Sequence, residues 1–168
     1  MKFTIRNDRP EDFLGVVREV GQWLADTGRE LWAIDTLTPE NLFDEFTTGN
    51  GYVVYARHPD GREEPAGAFI LQWKDPLFFG DVPDNTAGFI HKLAIRRAFA
   101  GQNLFARMLD FCRAECLKRG IHEIQLETDG TRPALMQFYE RNGFEPTHRR
   151  EVSEFGQTFL CQYYVMRF

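Results

Sequence analysis

Two stretches of the chain carry side chains that can move protons. His91 lies in GFIHKLAI, and Glu127 and Asp129 lie at the end of HEIQLETD. An imidazole with an ordinary pKa of about 6.5 can accept a proton from an ammonium group, directly or through water, at neutral pH. His91 is therefore a candidate general base, and Glu127 and Asp129 are the other candidates. A half-buried strand histidine with both nitrogens satisfied explains the pattern equally well, and the sequence leaves both interpretations open.

A phosphate site is predicted in the segment that contains His91, at the bend between its strand and its helix. Residues 88–116 have the pattern of a strand, a bend at Gly101 and an amphipathic helix with Leu104 near its start. A helix that opens from a tight loop offers unpaired N–H groups and the positive end of its dipole, which together bind phosphate. Nearby arginines can neutralise phosphate charge or be ordinary solvated residues, and these are Arg96, Arg97 and Arg107.

Hydrophobic spacing and turn residues place these segments in the order β-α-α-β-β-β-α-β-α-β-β. The predicted strands are residues 2–6, 51–57, 65–73, 88–95, 121–127, 144–152 and 157–168. Helices are predicted to start at Pro10, at Pro39 with Leu42, Phe43 and Phe46 as its apolar side, after Gly101, and at Pro133. This order predicts a mixed α/β (α+β) sheet with the 88–95 strand in a central position.

Two connecting segments contain aromatic residues that suit a ligand pocket. Residues 27–37 include Trp32 among charged groups, which fits either a small acceptor's pocket or a surface loop pinned by one Trp. Residues 75–86 contain two prolines and a glycine around Phe78 and Phe79, so they predict no long element. Aromatics in this second segment are expected beside the central strand, either at the site or as core packing.

Composition limits the classes of protein to which the chain can belong. With 168 residues and 43% hydrophobic content, the chain predicts one domain over residues 1–168. A net charge of -5 argues against nucleic acid or an anionic membrane as partner, and the lack of a long apolar run predicts a cytoplasmic protein. Three cysteines without a C-x-x-C pair predict free core thiols, no disulfide framework and no metal site.

Beyond these observations, the element order and two motifs resemble the GNAT superfamily of acyl-CoA-dependent N-acyltransferases. In LETDGTRPALMQFYERNGFEP, Tyr139 precedes Gly143-Phe144 by one helical turn, as in the family segment that supports the thiol end of coenzyme A. In LAIRRAFAGQNLFARML, the family pattern Q/R-x-x-G-x-G/A is largely replaced, because Ala100, Asn103 and Phe105 stand at its defining positions. Phe105 obstructs a close approach of phosphate unless its side chain turns into the core, whereas Asn tolerates a positive φ.

The resemblance implies a fold, a cofactor and roles for particular residues. The implied fold is a mixed, mostly antiparallel, twisted sheet of about seven strands flanked by about four helices, with splayed central parallel strands. Acetyl-CoA is the implied co-substrate, and Tyr139 is the implied acid for the departing thiolate, with a packed core tyrosine as the alternative. Arg132 takes a position where many relatives carry Asn. The implied catalytic residues are Tyr139 and His91. The implied cofactor-binding residues are Leu93, Ala94, Ile95, Arg96, Ala100, Gly101, Gln102, Asn103, Leu104 and Arg132. The implied substrate-binding residues are Trp32, Phe89 and Glu127.

The expected activity is direct acetyl transfer from acetyl-CoA to a primary amine of a small molecule or an amino-acid-like acceptor. A catalytically silent acyl-CoA sensor or interaction module is the alternative, because the phosphate loop departs from the family pattern. The last strand, TFLCQYYVMRF, is apolar on both faces and is expected to pair between subunits in a homodimer.

Overall fold

The computed structural model describes residues 1–42 and 49–168. Within these residues the strands are β1 (Lys2–Arg6), β2 (Gly51–Arg57), β3 (Glu63–Gln72), β4 (Gly88–Ile95), β5 (Glu123–Asp129), β6 (Glu145–Glu154) and β7 (Gln157–Arg167). The described helices are α1 (Pro10–Asp26), α2, which begins at residue 39 and is described to residue 42, α3 (Pro76–Phe79), α4 (Leu104–Lys118) and α5 (Pro133–Arg141). Leu42 of α2 is buried as predicted, whereas Phe43 and Phe46 lie outside the described residues.

The described strands form a seven-stranded sheet in the order β1-β2-β3-β4-β5-β7-β6. β1 and β2, β2 and β3, β5 and β7, and β6 and β7 pair antiparallel, whereas β4 and β5 pair in parallel. The parallel register joins Gly88 to Ile124 and Phe89 to Gln125, at the beginning of β4. The predicted mixed, mostly antiparallel sheet with β4 in a central position is confirmed.

Predicted element boundaries agree for β1, β2, β4 and α5 but differ at the start of β5. The sequence places that start at Ile121, whereas β5 begins at Glu123. Gly120 has φ 69° and its N–H donates to the Leu117 carbonyl, while the Ile121 N–H donates to the Cys116 carbonyl. These two bonds are the Schellman ending of α4, so Ile121 belongs to the helix cap.

The side chains of β4 do not alternate strictly between the two faces of the sheet, because the pattern is broken at Lys92, which has φ 49°. A positive φ is uncommon for a residue other than Gly, and within a strand it changes which face the following side chains point to. Ala94 accordingly lies in the core with 1% exposure, whereas Leu93 and Ile95 are half-buried. The predicted face of Phe89, His91, Leu93 and Ile95 is therefore not continuous.

Two compact parts of the chain each have their own core. Unit 1 comprises Met1–Leu71 and Lys92–Phe111, and unit 2 comprises Gln72–His91 and Cys112–Phe168. The core cluster of unit 1 contains Phe13, Val16, Val17, Val20, Leu37, Leu42, Val53, Tyr55, Ala68, Ile70 and Ala94. A core cluster of unit 2 contains Val152, Cys161 and Tyr163, with Phe78 and Phe79 packed against it.

β7 lies inside the sheet, which bears on the expectation that the final strand pairs between subunits. β7 pairs with β5 along one edge and with β6 along the other, so its backbone groups already have partners within the chain. The prediction that the final strand pairs between subunits is therefore wrong. β6 is the outer strand of the sheet order, and it is exposed from Glu145 to Glu151.

The tight packing of Gly67 in β3 gives a stability prediction. A Cβ atom added at Gly67 would lie 2.5 Å from Met108 Cε and 2.9 Å from the Ala94 carbonyl oxygen, all within unit 1. We expect Gly67→Ala to lower the free energy of unfolding by about 1–3 kcal/mol, because the backbone of β4 must shift. Gly15 is the matched control, since its added Cβ would meet no atom within 4 Å on the exposed face of α1. Gly15→Ala is expected to stabilise the protein by about 0.5–1 kcal/mol, and chemical denaturation measures both changes.

Candidate active site

His91 lies between two carboxylates in unit 2. Its Nε2 atom contacts Asp75 Oδ2, and its Nδ1 atom lies 3.4 Å from Glu127 Oε1. The side chains of His91, Asp75 and Glu127 are only 11%, 8% and 16% exposed. β4 supplies the histidine, β5 supplies Glu127, and Asp75 comes from the residue that precedes α3. We call these three side chains the His91 triad.

The two carboxylates determine the charge of the imidazole. Burial by itself lowers the pKa of His91, but the hydrogen bonds and charges of Asp75 and Glu127 outweigh burial and raise this pKa to about 9. The expectation of an ordinary pKa for His91 is therefore wrong, because the sequence did not place Asp75 beside it. At neutral pH His91 is an imidazolium that forms ion pairs with both carboxylates, so a role as base would require the deprotonated form that prevails above about pH 9.

Aromatic rings enclose one side of the His91 triad, as the sequence predicted for residues 75–86. The ring centroids of Phe78 and Phe79 lie 5.4 Å and 6.1 Å from that of His91, and the Phe79 centroid is 4.5 Å from that of Phe89. Phe89 is 0% exposed, so its side chain supports Phe79 from within the core. This burial favours a packing role for Phe89, and its contact with the substrate stays a prediction.

α3 is anchored at both ends by side chains whose roles the sequence did not reveal. Asp75 precedes Pro76 as the N-cap of α3, and its Oδ1 accepts a bond of 3.3 Å from the Phe78 N–H. At the other end, the Phe78 carbonyl accepts from the Tyr163 hydroxyl (2.7 Å) and from Arg150 Nη2 (2.8 Å). An Asp directly before a Pro is a signal for a helix start, and it could have identified Asp75 as a cap. The contact of Asp75 with His91 could be identified only from the folded structure, because the two residues are far apart in the chain.

The two other base candidates have different surroundings. Asp129 accepts from the Thr131 N–H (2.9 Å), the Thr131 hydroxyl (2.6 Å) and Arg132 Nε (2.9 Å). Burial works against ionisation, yet these bonds prevail and lower the pKa of Asp129, so it is a weak proton acceptor. Arg132 is held in the same turn. Glu127 faces His91 instead and is the better-placed carboxylate.

Tyr139 lies on α5 in an aromatic cluster of unit 2. Its ring centroid is 5.9 Å from those of Phe144 and Tyr164 and 5.5 Å from that of Phe138, and its side chain is half-buried. Burial, followed by the negative charge of Glu127, raises the pKa of Tyr139 well above its ordinary value. The phenol therefore keeps its proton throughout the physiological pH range, as a proton donor must before it acts. The aromatic contacts also agree with the alternative interpretation, in which Tyr139 is a packed core tyrosine.

Cys161 of β7 is a further group beside Glu127. Burial, together with the charge of Glu127 and a hydrogen bond to it, raises the pKa of the Cys161 thiol to about 12. The thiolate is the nucleophilic form, so this thiol is unreactive at neutral pH. Cys112 and Cys116 are buried free thiols, as predicted.

The predicted phosphate loop of unit 1 has two residues with a positive φ, although most of its motif residues differ from the family pattern. Gly101 has φ 77° and Asn103 has φ 58°, so Asn103 adopts the left-handed conformation expected of it. α4 begins at the next residue, Leu104. Phe105 is 6% exposed, which means that its side chain turns into the core and leaves the helix start clear. The N–H groups of Ala100 and Gln102 donate to the carbonyls of Arg97 and Phe99, so the backbone that an anion could approach is that of Gly101 and Asn103. Cofactor contacts by Ala100 and Gln102 stay predictions.

The Arg96 side chain is held within unit 1. Its guanidinium group donates to Glu19 at 2.9 Å and to the Pro65 carbonyl at 2.7 Å, and it lies 3.5 Å from Glu64. These contacts neutralise and orient the group within unit 1, and binding of the cofactor's phosphates by Arg96 stays a prediction. Arg97 is exposed and lies over the Trp23 ring at 4.6 Å.

Trp32, the predicted acceptor contact in residues 27–37, packs against the core of unit 1. Its Cε3 atom is 3.6 Å from the position of a Cβ on Gly21, and the Lys92 ammonium lies 5.6 Å from its ring centroid. The ring is half-buried. This environment matches the interpretation of a loop pinned by one Trp, and contact with an acceptor stays a prediction.

Comparison with known proteins identifies the family. The sequence profile described as the acetyltransferase (GNAT) family matches residues 17–144. The chain belongs to this GNAT acetyltransferase family. The resemblance read from the Tyr139 segment and from the element order is thereby confirmed, and so is the prediction of an acyltransferase.

Individual relatives agree with this assignment. The acetyltransferase is 30% identical over 148 residues to the uncharacterized N-acetyltransferase YesJ of Bacillus subtilis (strain 168), covering 80% of this chain and 76% of that protein. Its fold is similar to a GNAT family acetyltransferase of Listeria monocytogenes 4b F2365, with TM-score 0.71, 19% identity, and 99% and 95% of the two chains covered. It is also similar to the PaiA N-acetyltransferase of Thermoplasma acidophilum in complex with coenzyme A, with TM-score 0.69, 15% identity and 100% of both chains covered.

Two further observations concern metal ions and membranes. Among residues 1–42 and 49–168, no group of three or more His, Cys, Asp or Glu side chains is arranged to hold a metal ion. In the same part of the acetyltransferase, no helix has both the length and the apolar character needed to cross a membrane.

The raised pKa of His91 predicts how stability depends on pH. A group whose pKa is higher in the folded state stabilises the fold fully below its unfolded pKa, and this contribution is lost as pH rises through the folded value. Between about pH 6.5 and pH 9, the free energy of unfolding is therefore expected to fall by about 3 kcal/mol from this group. Urea denaturation at several pH values measures how the free energy of unfolding changes with pH. His91→Gln should remove most of this fall, whereas His122→Gln, at an exposed histidine, should leave the fall unchanged.

Proposed function

We propose that this acetyltransferase transfers the acetyl group of acetyl-CoA to a primary amine of a small or amino-acid-like acceptor by direct attack. The observation that carries the proposal is the setting of Glu127, which faces the His91 imidazolium and acts electrostatically on the Tyr139 phenol. A carboxylate that can accept a proton and a phenol that can donate one are the two groups that the reaction requires. Acetyl-CoA supplies the activated thioester when it is bound.

Backbone groups of unit 1 are proposed to hold the donor. Gly101 and Asn103, both with positive φ, expose N–H groups before the start of α4, where the helix dipole favours a pyrophosphate. The added Cβ of Gly101 would meet no atom within 4 Å, so this stretch of backbone is open to a ligand. Directly after Lys92, with its positive φ, come the main-chain groups of Leu93, Ala94 and Ile95. These groups are proposed to stabilise the negative charge that develops on the thioester carbonyl oxygen.

Proton balance assigns the remaining roles in unit 2. The acceptor ammonium must lose one proton before attack and a second one as its nitrogen–carbon bond forms, while the carbon–sulfur bond breaks and the sulfur gains a proton. Glu127 accepts a proton from the nitrogen, Tyr139 donates one to the sulfur, and one proton passes to solvent. This assignment moves the base function from His91 to Glu127, since His91 is already protonated at neutral pH.

The acceptor is proposed to be a small amine. Phe78 and Phe79 lie beside His91, which Asp75 and Glu127 flank, and this combination of aromatic rings and negative charge suits an ammonium group with an apolar body. The net charge of -5 disfavours a polyanionic acceptor. A cytoplasmic location, a single domain over residues 1–168 and a homodimer stay predictions.

Removing the proposed acid tests the function directly. Tyr139→Phe deletes one hydroxyl group, and we expect kcat for acetyl transfer to fall by about 10²-fold or more, because the sulfur leaves without a proton donor. Acetyl transfer from acetyl-CoA is measured across a panel of small amines. Tyr164→Phe is the matched control, since Tyr164 belongs to the same aromatic cluster and its hydroxyl donates to Glu140 at 3.0 Å. This control should retain turnover.

Calorimetric titration with acetyl-CoA separates the remaining outcomes. Binding of acetyl-CoA together with turnover that depends on Tyr139 supports the proposal. Equal turnover in wild type and Tyr139→Phe would exclude Tyr139 as the acid. Binding without transfer to any amine would indicate an acyl-CoA sensor, and no binding at millimolar acetyl-CoA would contradict both functions.

A further inference from the structure

Asp75 differs from the other acidic side chains described near the site, because it joins two elements of unit 2. Its Oδ1 atom caps α3 through the Phe78 N–H, and its Oδ2 atom contacts His91 Nε2. The residue is 7% exposed, although an ionised carboxylate is expensive to bury without partners. A cap alone does not explain the burial, since Ser, Thr and Asn cap helices equally well without a charge.

We propose that Asp75 is a positioning residue for acetyl transfer, which holds His91 protonated and oriented so that its Nδ1–H is directed at Glu127. The inference rests on the function proposed above, in which Glu127 accepts the acceptor's proton. Asp75 itself does not contact the reacting atoms in this scheme. It acts through His91.

Geometry carries the argument from Asp75 to Glu127. An imidazole has two nitrogens on opposite sides of its ring, and a hydrogen bond at one of them fixes both the orientation of the ring and the tautomer. Asp75 occupies Nε2, so Nδ1 must face Glu127, from which it lies 3.4 Å away. The rings of Phe78 and Phe79 pack beside the imidazole, with centroids 5.4 Å and 6.1 Å from its own.

The charges around His91 support a protonated ring. Asp75 and Glu127 face the imidazole directly, and each raises its proton affinity. Tyr139 on α5 and Cys161 on β7 face Glu127, and the raised pKa of each keeps it neutral. On the remaining side, the Arg150 guanidinium is bound to the carbonyls of Leu77 and Phe78, and His148 stacks on Tyr163. Two carboxylates thus face one imidazolium, so losing either carboxylate changes the proton affinity of the ring.

Asp75 also links the aromatic residues of α3 to this charge. α3 carries Phe78 and Phe79, and Arg150 and Tyr163 hold its C-terminal carbonyls. Because the N-cap of α3 is the same carboxylate that binds His91, the aromatic rings and the imidazolium are placed by one side chain. We therefore expect the position of α3 and the protonation of His91 to be coupled.

Asp75→Asn separates the charge from the cap. Asn caps a helix about as well as Asp, so α3 is retained while the negative charge is removed. We expect the pKa of His91, followed by NMR of the imidazole, to fall by about one to three units, the usual effect of losing one adjacent opposite charge. We also expect kcat to fall by about tenfold or more, with little change in KM for acetyl-CoA. The alkaline limb of the pH–rate profile should move to lower pH, because the imidazolium deprotonates earlier. Asp60→Asn, at an exposed turn, is the matched control and should change none of these quantities.

Each outcome bears on one claim. An unchanged His91 titration in Asp75→Asn would overturn the pairing of Asp75 with His91. A lowered pKa of His91 together with an unchanged kcat and an unchanged pH–rate profile would overturn the positioning role. If the wild type transfers acetyl to no amine, the proposed function fails while the titration still tests the pairing. Asp75→Ser, a second neutral capping residue, provides the same measurements if Asp75→Asn does not fold.

Discussion

The imidazolium of His91 between the buried carboxylate of Asp75 and the half-buried carboxylate of Glu127 is the interaction on which the rest of unit 2 depends. Isolated charges of this kind are costly to bury, and the cost is offset only when opposite charges and hydrogen-bond directions match. Here one cation meets two anions, which leaves the His91 triad with a net negative charge. That excess charge favours a nearby cation and disfavours a second anion, which suits a site that must accept a proton from an ammonium group.

The His91 triad also determines what surrounds it. Asp75 is held where it is because it caps α3, and α3 is held because Tyr163 and Arg150 donate to its last carbonyls. Residues 75–79 contain a Pro and two Phe and would be a surface loop without these bonds. The polar contacts convert the loop into a short helix whose aromatic rings cover the histidine.

The loop before α4 in unit 1 has a conformation that suits an anion, although the family's glycines are largely replaced there. Gly101 and Asn103 both have a positive φ, which Asn tolerates better than most residues other than Gly. The Phe105 side chain is buried, with 6% exposure. Anion binding by backbone N–H groups depends on φ and ψ and little on side-chain identity, so the motif can change while the loop is retained.

The element order, the mixed sheet and the free thiols could be predicted from the amino-acid sequence, because local spacing and turn residues carry them. The roles suggested for Tyr139 and Glu127 are candidates: that of Tyr139 comes from the resemblance of its Tyr-x-x-x-Gly-Phe segment to the family, and that of Glu127 from its place at the end of a predicted strand. The charge of His91, the burial of Phe89, the ion pairs of Arg96 and the enclosed position of β7 became visible in the tertiary structure. Each of these depends on a residue distant in the chain, such as Asp75 beside His91 or Glu19 beside Arg96, and local spacing carries no information about such contacts. A pKa is a property of the surroundings of a group, so it could be read only after folding had brought the two carboxylates to the histidine.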